Sequence, residues 1–341
     1  MSGNTYPYQA AGVDLDAMEA LKERIKAFAA MTHGPEVLNA SSSFAGLYQL
    51  ANYQKPVLVA SADGVGTKLK IAAHLGHFES IGQDLVSLNV NDILTKGAKP
   101  LFFLDYISFS KLDQQLMETL LRGIIWGCRE VGCALIGGET AQMPGLYAGD
   151  DFDLAGFVVG VVERDKLLEG SDIRPGDYLI GVPSSGVHTN GFSLVRRVFK
   201  VDENPSVLFH RYGELHHQLG EELLIRHRCY YPLLGPVLGL VKGLAHITGG
   251  GLPGKMLAIL PDTVAASFQP GSWLVPPIFS IIQREGEISD AEMRQVFNMG
   301  LGMVAVCEAE AVATLLDAVP EAQVVGRVVE RQGSEQVCFK G

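Results

Sequence analysis

The sequence has no long uninterrupted apolar run and no excess of basic residues. Its longest apolar stretch is the nine residues from Leu154 to Val162, which two glycines interrupt, whereas a membrane-spanning helix needs about 20 apolar residues. The chain has 27 Lys and Arg residues against 38 Asp and Glu residues, for a formal charge of −11 at pH 7. Because nucleic acid is held by clustered positive charge, we expect neither a membrane span nor a nucleic-acid partner.

Cysteine is also sparse: the chain has five, and no two of them form a C-x-x-C pair. Isolated thiols in apolar surroundings are typical of core residues in a reducing compartment. A secretory signal has a basic region followed by an apolar run, and the first residues of this chain contain neither. These features predict a cytoplasmic protein. The lack of fixed-period repeats and low-complexity tracts argues against a solenoid or a tethered array.

What the sequence does have is 341 residues that are 47% hydrophobic and 19% charged, with 39 glycines and 16 prolines. At roughly 150 residues per domain, this length predicts about two domains, and the composition favours an α/β or α+β fold punctuated by loops. The charged segment 163–176 contains Gly170 and an Arg-Pro-Gly turn, features that are common at domain junctions. We therefore predict domains at 1–169 and 170–341.

Apolar spacing and turn residues predict helices and strands in both halves. In the first half, the predicted helices cover 15–28, the segment up to residue 75, 81–96 and 114–131, and the predicted strands cover 57–60, 101–107, 134–136 and 154–162. In the second half, the pattern predicts a strand at 178–182, helices at 192–199 and 214–227, and a strand that leads into a glycine-rich turn at 245–251.

Three predicted elements end in acidic or glycine-rich sequences, at residues 63–68, 89–92 and 137–140. Glycine-rich turns let backbone N–H groups approach an anion, and carboxylates from separate elements are oxygen ligands that suit magnesium. Lys68 adds a positive charge at the end of the first turn. Together the three segments predict a nucleotide-phosphate site. For any one of them alone, a tight turn with a capping Asp is the favoured interpretation.

Two familiar nucleotide fingerprints are incomplete in this chain. The turn at Gly64 and Gly66 has Leu69 where G-x-G-x-x-G requires a third small residue, so it gives only weak support for a dinucleotide fold. The segment 249–256 matches G-x-x-x-x-G-K, but Met256 replaces the Ser or Thr whose hydroxyl binds magnesium. Since Pro253 also removes an N–H group from that loop, we interpret the second match as a chance resemblance.

A loop in the second half concentrates polar side chains: Ser184, His188, Thr189 and Asn190 lie within seven residues. Hydroxyl and amide groups bind polar substrates through uncharged hydrogen bonds, and an imidazole can move a proton near neutral pH. The alternative interpretation is a helix-capping loop, with Asn190 or Ser193 as the cap and His188 at the surface. The pattern by itself does not decide between the two.

The order of these motifs resembles the phosphoribosylformylglycinamidine cyclo-ligase family, also called the aminoimidazole ribonucleotide synthetases. Any single motif would be weak support, whereas many in the same order are specific. The resemblance covers nearly the whole chain and rests on residues 8–14, 63–69, 82–92, 102–106, 137–145, 184–194, 246–251 and 297–300.

The resemblance implies a two-domain α+β fold in which the N-terminal sheets of two subunits pair into a barrel, forming a homodimer, and the C-terminal domain is an α/β sandwich. It also implies a reaction of purine biosynthesis, in which ATP and formylglycinamidine ribonucleotide yield aminoimidazole ribonucleotide, ADP and phosphate. A formamide carbonyl is a poor electrophile and its oxygen a poor leaving group. Phosphorylation of that oxygen corrects both, and phosphoryl transfer mainly needs positioning and charge neutralisation.

The resemblance further implies roles for individual residues. ATP is the implied co-substrate and Mg²⁺ the implied metal, with Asp63, Asp92 and Glu139 as metal ligands and Lys68 in contact with the phosphates. The implied catalytic residues are Lys68, Asp92 and His188. The implied nucleotide-binding residues are Asp63, Gly64, Gly66, Thr67, Lys68, Asp92, Asp105 and Glu139, and the implied substrate-binding residues are His188, Thr189, Asn190, Thr248, Gly249, Gly250 and Gly251.

Two segments depart from the family pattern. The family usually has a glycine-rich stretch after the first helix, where residues 40–46 here read Ala-Ser-Ser-Ser-Phe-Ala-Gly, and an Asn-Pro-Arg segment after Gly251, where this chain has residues 252–256. The first departure leaves open an alternative function, that of a protein that binds a nucleotide without turning it over. The other alternative is a sister ATP-dependent enzyme, such as thiamine-monophosphate kinase, selenophosphate synthetase or the hydrogenase-maturation dehydratase. The polar loop at 184–190 argues against these sister enzymes.

Overall fold

The computed structural model describes residues 15–38, 45–149 and 151–340, and for residues 15–17 it describes the backbone only. The motif at 8–14 and residues 40–44 of the altered loop lie outside this described part. Within it, no helix is both long enough and apolar enough to cross a membrane.

The first half of the chain forms a four-stranded sheet with helices on one side. Its elements are α1 (Leu15–Ala30), β1 (Val37–Leu38), β2 (Leu47–Tyr48), β3 (Pro56–Gly64), α2 (Lys68–Leu75), α3 (Ile81–Leu94), β4 (Lys99–Phe109), α4 (Gln114–Glu130), β5 (Ala134–Gln142) and β6 (Phe152–Glu163). The spatial order of the sheet is β3-β6-β4-β5, and its neighbours are antiparallel except for the parallel pair β4 and β5. The short antiparallel pair β1 and β2 contacts β4 through the rings of Tyr48 and Phe102.

Strand β3 shows that this sheet has one covered face and one open face. Successive side chains of a strand point to opposite faces, and Ser61 points to α3, where its hydroxyl lies 3.0 Å from Asp92 Oδ2. Val59 shares that face and packs against the core. On the other face, Leu58 of β3 is 62% exposed and Phe157 of β6 is 44% exposed. The sheet therefore presents apolar side chains on the side away from α3.

Helices α3 and α4 approach each other closely because two glycines face one another. A Cβ on Gly82 would lie 2.6 Å from Ile124 N, and a Cβ on Gly123 would lie 3.0 Å from Gly82 Cα. Helix α3 is buried along almost its whole length, and its buried residues include the polar Asp84 and Asn91. Because buried polar groups need hydrogen-bond partners, α3 must contact polar groups of other elements.

The second half forms a six-stranded sheet in the order β12-β9-β11-β7-β10-β8. Its pairs are antiparallel except for the parallel pair β9 and β12. The strands are β7 (Tyr178–Pro183), β8 (Gly243–His246), β9 (Val264–Phe268), β10 (Leu301–Cys307), β11 (Gln323–Glu330) and β12 (Val337–Phe339). The helices are α5 (Phe192–Val198), α6 (Leu219–Leu223), α7 (Tyr231–Leu234), α8 (Gly251–Leu257), α9 (Pro277–Gly286), α10 (Asp290–Val296) and α11 (Val312–Ala318).

The two halves share a hydrophobic core. Leu85 of α3, Phe192 of α5 and Phe279 of α9 belong to one buried cluster, so α3 packs against helices of the second half as well as against its own sheet. Two smaller clusters include Val304 and Ala305, neighbours on β10. Their separation into different clusters follows from the alternation of side chains along a strand that is covered on both faces.

The predicted mixed α/β fold is confirmed, since each half combines a sheet with packed helices. The predicted domain boundary near residue 170 and the dimer barrel stay predictions.

The predicted helix over residues 214–227 is wrong, because only Leu219–Leu223 is helical there. Side chains of α3 hold the backbone that follows. His227 N donates to Asp84 Oδ1 at 2.6 Å, and Tyr230 N donates to Asn91 Oδ1 at 2.8 Å. The first of these long-range bonds takes up an N–H group that the predicted helix would have used internally, and the second fixes the backbone just beyond it.

Replacing Gly82 by Ala should destabilise the protein by about 1–3 kcal/mol, because an added methyl group has no room between α3 and α4. The collision outweighs the ordinary gain in helix propensity of about 1 kcal/mol. Urea unfolding measures the free energy of unfolding. Gly213→Ala is the matched control, because a Cβ on Gly213 would have no heavy atom within 4 Å. Equal stabilities of the two variants would contradict the close helix packing.

Candidate active site

Two carboxylates lie close together where β3 ends against α3. Asp63 is the next-to-last residue of β3 and Asp92 lies near the end of α3, and their charges interact. Ser61 donates to Asp92 Oδ2 at 3.0 Å, and Asn89 Nδ2 donates to Asp63 O at 3.3 Å. The strand and the helix are thus tied together here, and the structure brings two of the predicted site residues into one acid pair, Asp63 and Asp92.

The electrostatics of the acid pair suit a cation. Burial raises the pKa of Asp63, a hydrogen bond from Gly64 N opposes this rise, and the charge of Asp92 adds to it. Burial acts in the same direction on Asp92, but hydrogen bonds from His246 and Ser61 outweigh it and hold the pKa of Asp92 below its ordinary value. Proteins hold Mg²⁺ through one or two carboxylates together with substrate phosphates. The acid pair therefore fits this metal.

Two further residues at the acid pair were not predicted as site residues from the sequence. His246, at the end of β8, is buried, and its Nδ1 lies 2.8 Å from Asp92 Oδ1. Lys255 lies on α8, and its positive charge acts on both Asp63 and Asp92. The sequence held one signal for Lys255, the incomplete G-x-x-x-x-G-K match. His246 had no separate signal, because a buried histidine at the end of a strand is common in protein cores.

The polar loop after β7, residues 184–190, is tied to the segment that precedes β10; we refer to it as the substrate loop. Ser184 N donates to Gly300 O at 2.9 Å, and Asn298 Nδ2 donates to Gly186 O at 2.8 Å. His188 has a φ of 65°, a left-handed conformation that is uncommon for a residue other than glycine and is often found at functional sites. These bonds hold the loop in one strained shape.

Three buried polar atoms of the substrate loop have no hydrogen-bond partner among the described residues: Ser184 Oγ, His188 Nδ1 and Asn190 Oδ1. Burial lowers the pKa of His188 well below its ordinary value, so its ring is neutral at pH 7. Ser185 N donates to His188 Nε2 at 3.2 Å, which places the ring proton on Nδ1. A buried donor without an acceptor costs free energy, and a polar ligand in the loop would remove that cost.

The glycine-rich turn after β8 lies next to the substrate loop. A Cβ on Gly249 would lie 3.8 Å from Asn190 Nδ2. Gly250 and Gly251 have φ values of 91° and 61°, which favour glycine because it has no Cβ. Gly251 N donates to Thr248 O at 2.9 Å, while Gly249 and Gly250 are exposed. The structure thus brings the predicted turn and the predicted loop together.

The last two residues of the turn after β3, Thr67 and Lys68, lie in different surroundings. Thr67 Oγ1 lies 3.2 Å from Ser193 Oγ at the start of α5, just beyond the substrate loop. Lys68 is fully buried, and its Nζ lies 2.7 Å from Asp84 Oδ2 and 2.9 Å from Ile225 O. The structure therefore does not bring the ammonium group of Lys68 to the acid pair. The positive charge of Lys68 is instead paired with the carboxylate of Asp84, which was not predicted as a site residue. The two side chains pair because both are excluded from water.

Asp105 and Glu139 lie at a different place from the acid pair. They belong to β4 and β5, and the strand order places β5 three positions from β3, roughly 14 Å at ordinary strand spacing. Among the described residues, no group of three His, Cys, Asp or Glu side chains is placed to hold a metal. Within one chain, then, Glu139 does not join the acid pair, because the order of strands separates two motifs that resemble each other in sequence.

These two acids line a cavity of about 270 Å³ between α1 and β5. Lys22, Lys26 and His33 also line it. Burial raises the pKa of Asp105 to about 7, and the charge of Glu139 adds to this rise. The cavity therefore contains a carboxyl group that ionises near neutral pH.

Comparison with known proteins covers both halves of the chain. The family model described as AIR synthase related protein, N-terminal domain, matches residues 45–162, and the corresponding C-terminal domain model matches residues 174–338. A phosphoribosylformylglycinamidine cyclo-ligase from Sorangium cellulosum is 49% identical over 331 residues, which cover 94% of this chain and 95% of that protein. One from Geobacillus thermodenitrificans is 46% identical and covers 98% of both chains.

Solved structures share the fold at low sequence identity. Thiamine-monophosphate kinase from Stenotrophomonas maltophilia K279a aligns with a TM-score of 0.65 and 17% identity over 94% of this chain and 96% of its own. The hydrogenase maturation protein HypE, in a structure in complex with ATP, aligns with a TM-score of 0.61 and 15% identity over 93% of this chain and 90% of its own. At these identities the likeness shows the fold alone.

Replacing Asp105 by Asn should make the stability less dependent on pH. The pKa of Asp105 is about 7 in the folded protein, against about 3.9 for an unperturbed Asp. Its contribution to stability is therefore fully present below about pH 4 and is lost as the pH rises through about 7. Between about pH 5 and pH 8, the free energy of unfolding of Asp105→Asn relative to the wild type should increase by about 2–3 kcal/mol.

Urea unfolding at both pH values measures this difference. The exposed Asp317 on α11 provides the control Asp317→Asn, which we expect to differ from the wild type equally at both pH values. The burial argument for Asp105 fails if Asp105→Asn behaves like this control.

Proposed function

The chain belongs to the AIR synthase related family, and from this premise we propose that it cyclises formylglycinamidine ribonucleotide to aminoimidazole ribonucleotide using ATP. Membership makes the chain an enzyme, a ligase of purine biosynthesis like the cyclo-ligases that are 45–49% identical to it. One observation supports the residue assignment: the acid pair from the first half and the substrate loop from the second half adjoin through buried contacts.

On the nucleotide side, Asp63 and Asp92 are the residues that would hold Mg²⁺ together with the phosphates of ATP. Bound magnesium would supply charge neutralisation at the transferring phosphoryl group. Lys255 adds a positive charge at the same place. In this assignment, Lys68 contributes from the core through its ion pair with Asp84.

On the substrate side, the three unpaired atoms of Ser184, His188 and Asn190 bind the ribonucleotide. His188 presents a donor, Nδ1–H, so it stabilises negative charge that develops on an oxygen. The exposed backbone of Gly249 and Gly250 approaches the substrate phosphate, since glycine allows close contact between backbone N–H groups and an anion.

For this reaction, the protein needs to position the reactants more than it needs to form a covalent bond with them. The formyl oxygen attacks the γ-phosphorus of ATP, and the bond between that phosphorus and ADP breaks. The product is an O-phosphorylated imidate, whose carbon is a better electrophile. The ribosyl-bearing nitrogen attacks this carbon, the carbon–oxygen bond to phosphate breaks, and one proton is released. Each step moves negative charge between oxygens, and a cation held by Asp63 and Asp92 would neutralise that charge at the phosphates while the substrate loop would donate to the oxygens of the ribonucleotide.

A coupled assay of ADP release tests this function. We expect ADP release that depends on formylglycinamidine ribonucleotide, and we expect Asp92→Asn to reduce it at least about 100-fold, because a preorganised charge at the phosphates is lost. Asp317→Asn is the control with the same chemical change at an exposed site. Tight ATP binding without substrate-dependent ADP release would instead indicate a nucleotide-binding module, and near-normal turnover of Asp92→Asn would remove Asp92 from the site.

The proposal includes a cytoplasmic homodimer. All five cysteines are free thiols, which fits a reducing compartment. The open face of the first sheet carries Leu58 and Phe157, and an apolar sheet face of this kind is typical of a buried interface. Pairing of two such faces would build the predicted barrel.

Phe157→Asp should convert the dimer into monomers, because a buried charge without a partner opposes association. Light scattering coupled to size-exclusion chromatography measures the mass in solution. Leu274→Asp is the matched control, since Leu274 is 79% exposed in the second half, and it should leave the mass unchanged. A monomeric wild type, or a Phe157→Asp variant that stays dimeric, would contradict the barrel.

A further inference from the structure

His227 has no role in the reaction described so far, yet its contacts reach the substrate loop and a neighbour of the acid pair. It lies in the segment between α6 and α7 and is fully buried. Its backbone N donates to Asp84 Oδ1 at 2.6 Å, and Asp84 in turn pairs with Lys68.

The imidazole of His227 connects the two sides of the site. Its Nδ1 lies 3.1 Å from the hydroxyl of Thr189 in the substrate loop, and its Nε2 lies 3.1 Å from Nε2 of His246. His246 Nδ1 lies 2.8 Å from Asp92 Oδ1. The ring of His227 also stacks on the ring of His188, with centroids 4.0 Å apart and an angle of 17° between the planes. A continuous chain thus runs from the acid pair to the substrate loop.

The bond at one end of this chain has a fixed direction: a carboxylate only accepts, so His246 donates to Asp92 from Nδ1. The other end adapts, because the hydroxyl of Thr189 pairs with His227 Nδ1 whether that nitrogen accepts or donates. His227 Nε2 has two neighbours, His246 Nε2 at 3.1 Å and Asn91 Nδ2 at 3.4 Å. Burial, which lowers the pKa of His227 well below its ordinary value, agrees with one proton on this ring.

We propose that His227 is a positioning residue for the reaction: it aligns the Asp92 carboxylate, through His246, with Thr189 and His188 of the substrate loop. This inference rests on the proposed function of the same site. Its physical basis is that a buried polar network with all of its members paired is rigid, and that reacting groups must be held to within fractions of an ångström. A ring that stacks on one site residue and bonds two others constrains all three.

The alternative is a histidine that only fills the core. The backbone around His227 is anchored independently of its side chain, by the bonds to Asp84 and from Tyr230 N to Asn91. Side-chain variants should therefore keep the local fold. If the His227 side chain aligns the site, its removal should reduce kcat by more than any change in stability explains.

Steady-state kinetics of three variants test the role. His227→Asn keeps a polar group near the position of Nδ1, His227→Gln keeps one near Nε2, and His227→Ala keeps neither. We expect kcat to fall about 10–100-fold in His227→Ala, with KM for ATP and for the ribonucleotide changed by less than about threefold. The Asn and Gln variants should each recover part of kcat. His217→Gln, at an exposed position, is the control and should match the wild type.

A second readout does not depend on turnover. Nitrogen-15 NMR of histidine-labelled wild-type protein distinguishes protonated from unprotonated ring nitrogens. It should show one protonated nitrogen on the ring of His227 and a proton on Nδ1 of both His246 and His188. The signals are assigned by comparison with the single variants His188→Gln, His227→Gln and His246→Gln.

The outcomes separate the two levels of the proposal. An inactive wild type in the ADP-release assay overturns the proposed function, whatever the NMR spectra show. An active wild type overturns the positioning role of His227 in either of two cases: if kcat of His227→Ala stays within about twofold of the wild-type value, or if Nδ1 of His246 carries no proton, since the chain to Asp92 is then broken. Reduced kcat together with the expected tautomers supports it.

Discussion

The buried carboxylate of Asp84 is the charge on which the arrangement of the two sheets depends. It lies 2.7 Å from the equally buried ammonium of Lys68 and accepts the backbone N–H of His227 at 2.6 Å. Burial raises the pKa of Asp84, and the charge of Lys68 lowers it. Removing one partner from a buried ion pair costs about 3–5 kcal/mol. The start of α2, the helix α3 and the segment after α6 must therefore stay together for either charge to remain buried.

Helix α3 extends this constraint to the site. Asp84 and Asn91 are seven residues apart, two turns of an α-helix, so they lie on the same side, and both bind the backbone of the second half. Asp92, next to Asn91, is bonded to β3 through Ser61 and to β8 through His246. One helix thus carries both the bonds that join the halves and the carboxylate at their junction. A shift of α3 large enough to break one set would disturb the other.

Carboxylate side chains that could bind a ligand lie at two separate places in the first half of the chain. The acid pair lies on the helix-covered side of the first sheet, against the second half, whereas Asp105 and Glu139 belong to β4 and β5 and line a separate cavity. The face of this sheet away from α3 is open and apolar, with Leu58 and Phe157 exposed. A single chain therefore covers the junction between its own halves but leaves one apolar face of its first sheet exposed.

Local sequence patterns determined most of the elements and the polar segments that end them. The periodicity around Ile81–Leu94 and the apolar run within Phe152–Glu163 correctly predicted a helix and a strand, because such periodicity depends on neighbours along the chain. The ordered motifs likewise identified the family. The helix predicted over 214–227 failed because side chains distant in sequence bind that backbone.

Tertiary structure alone decided which polar segments meet. Two motifs that read alike, at Asp63 and at Glu139, are kept apart by the order of the strands, which periodicity within a strand does not encode. The resemblance implied contact between Lys68 and the nucleotide phosphates, but packing buries Lys68 against Asp84. His227, Lys255 and His246 become site residues only through contacts across the junction of the halves. Such contacts depend on how the elements pack together, and no local pattern in the sequence specifies them.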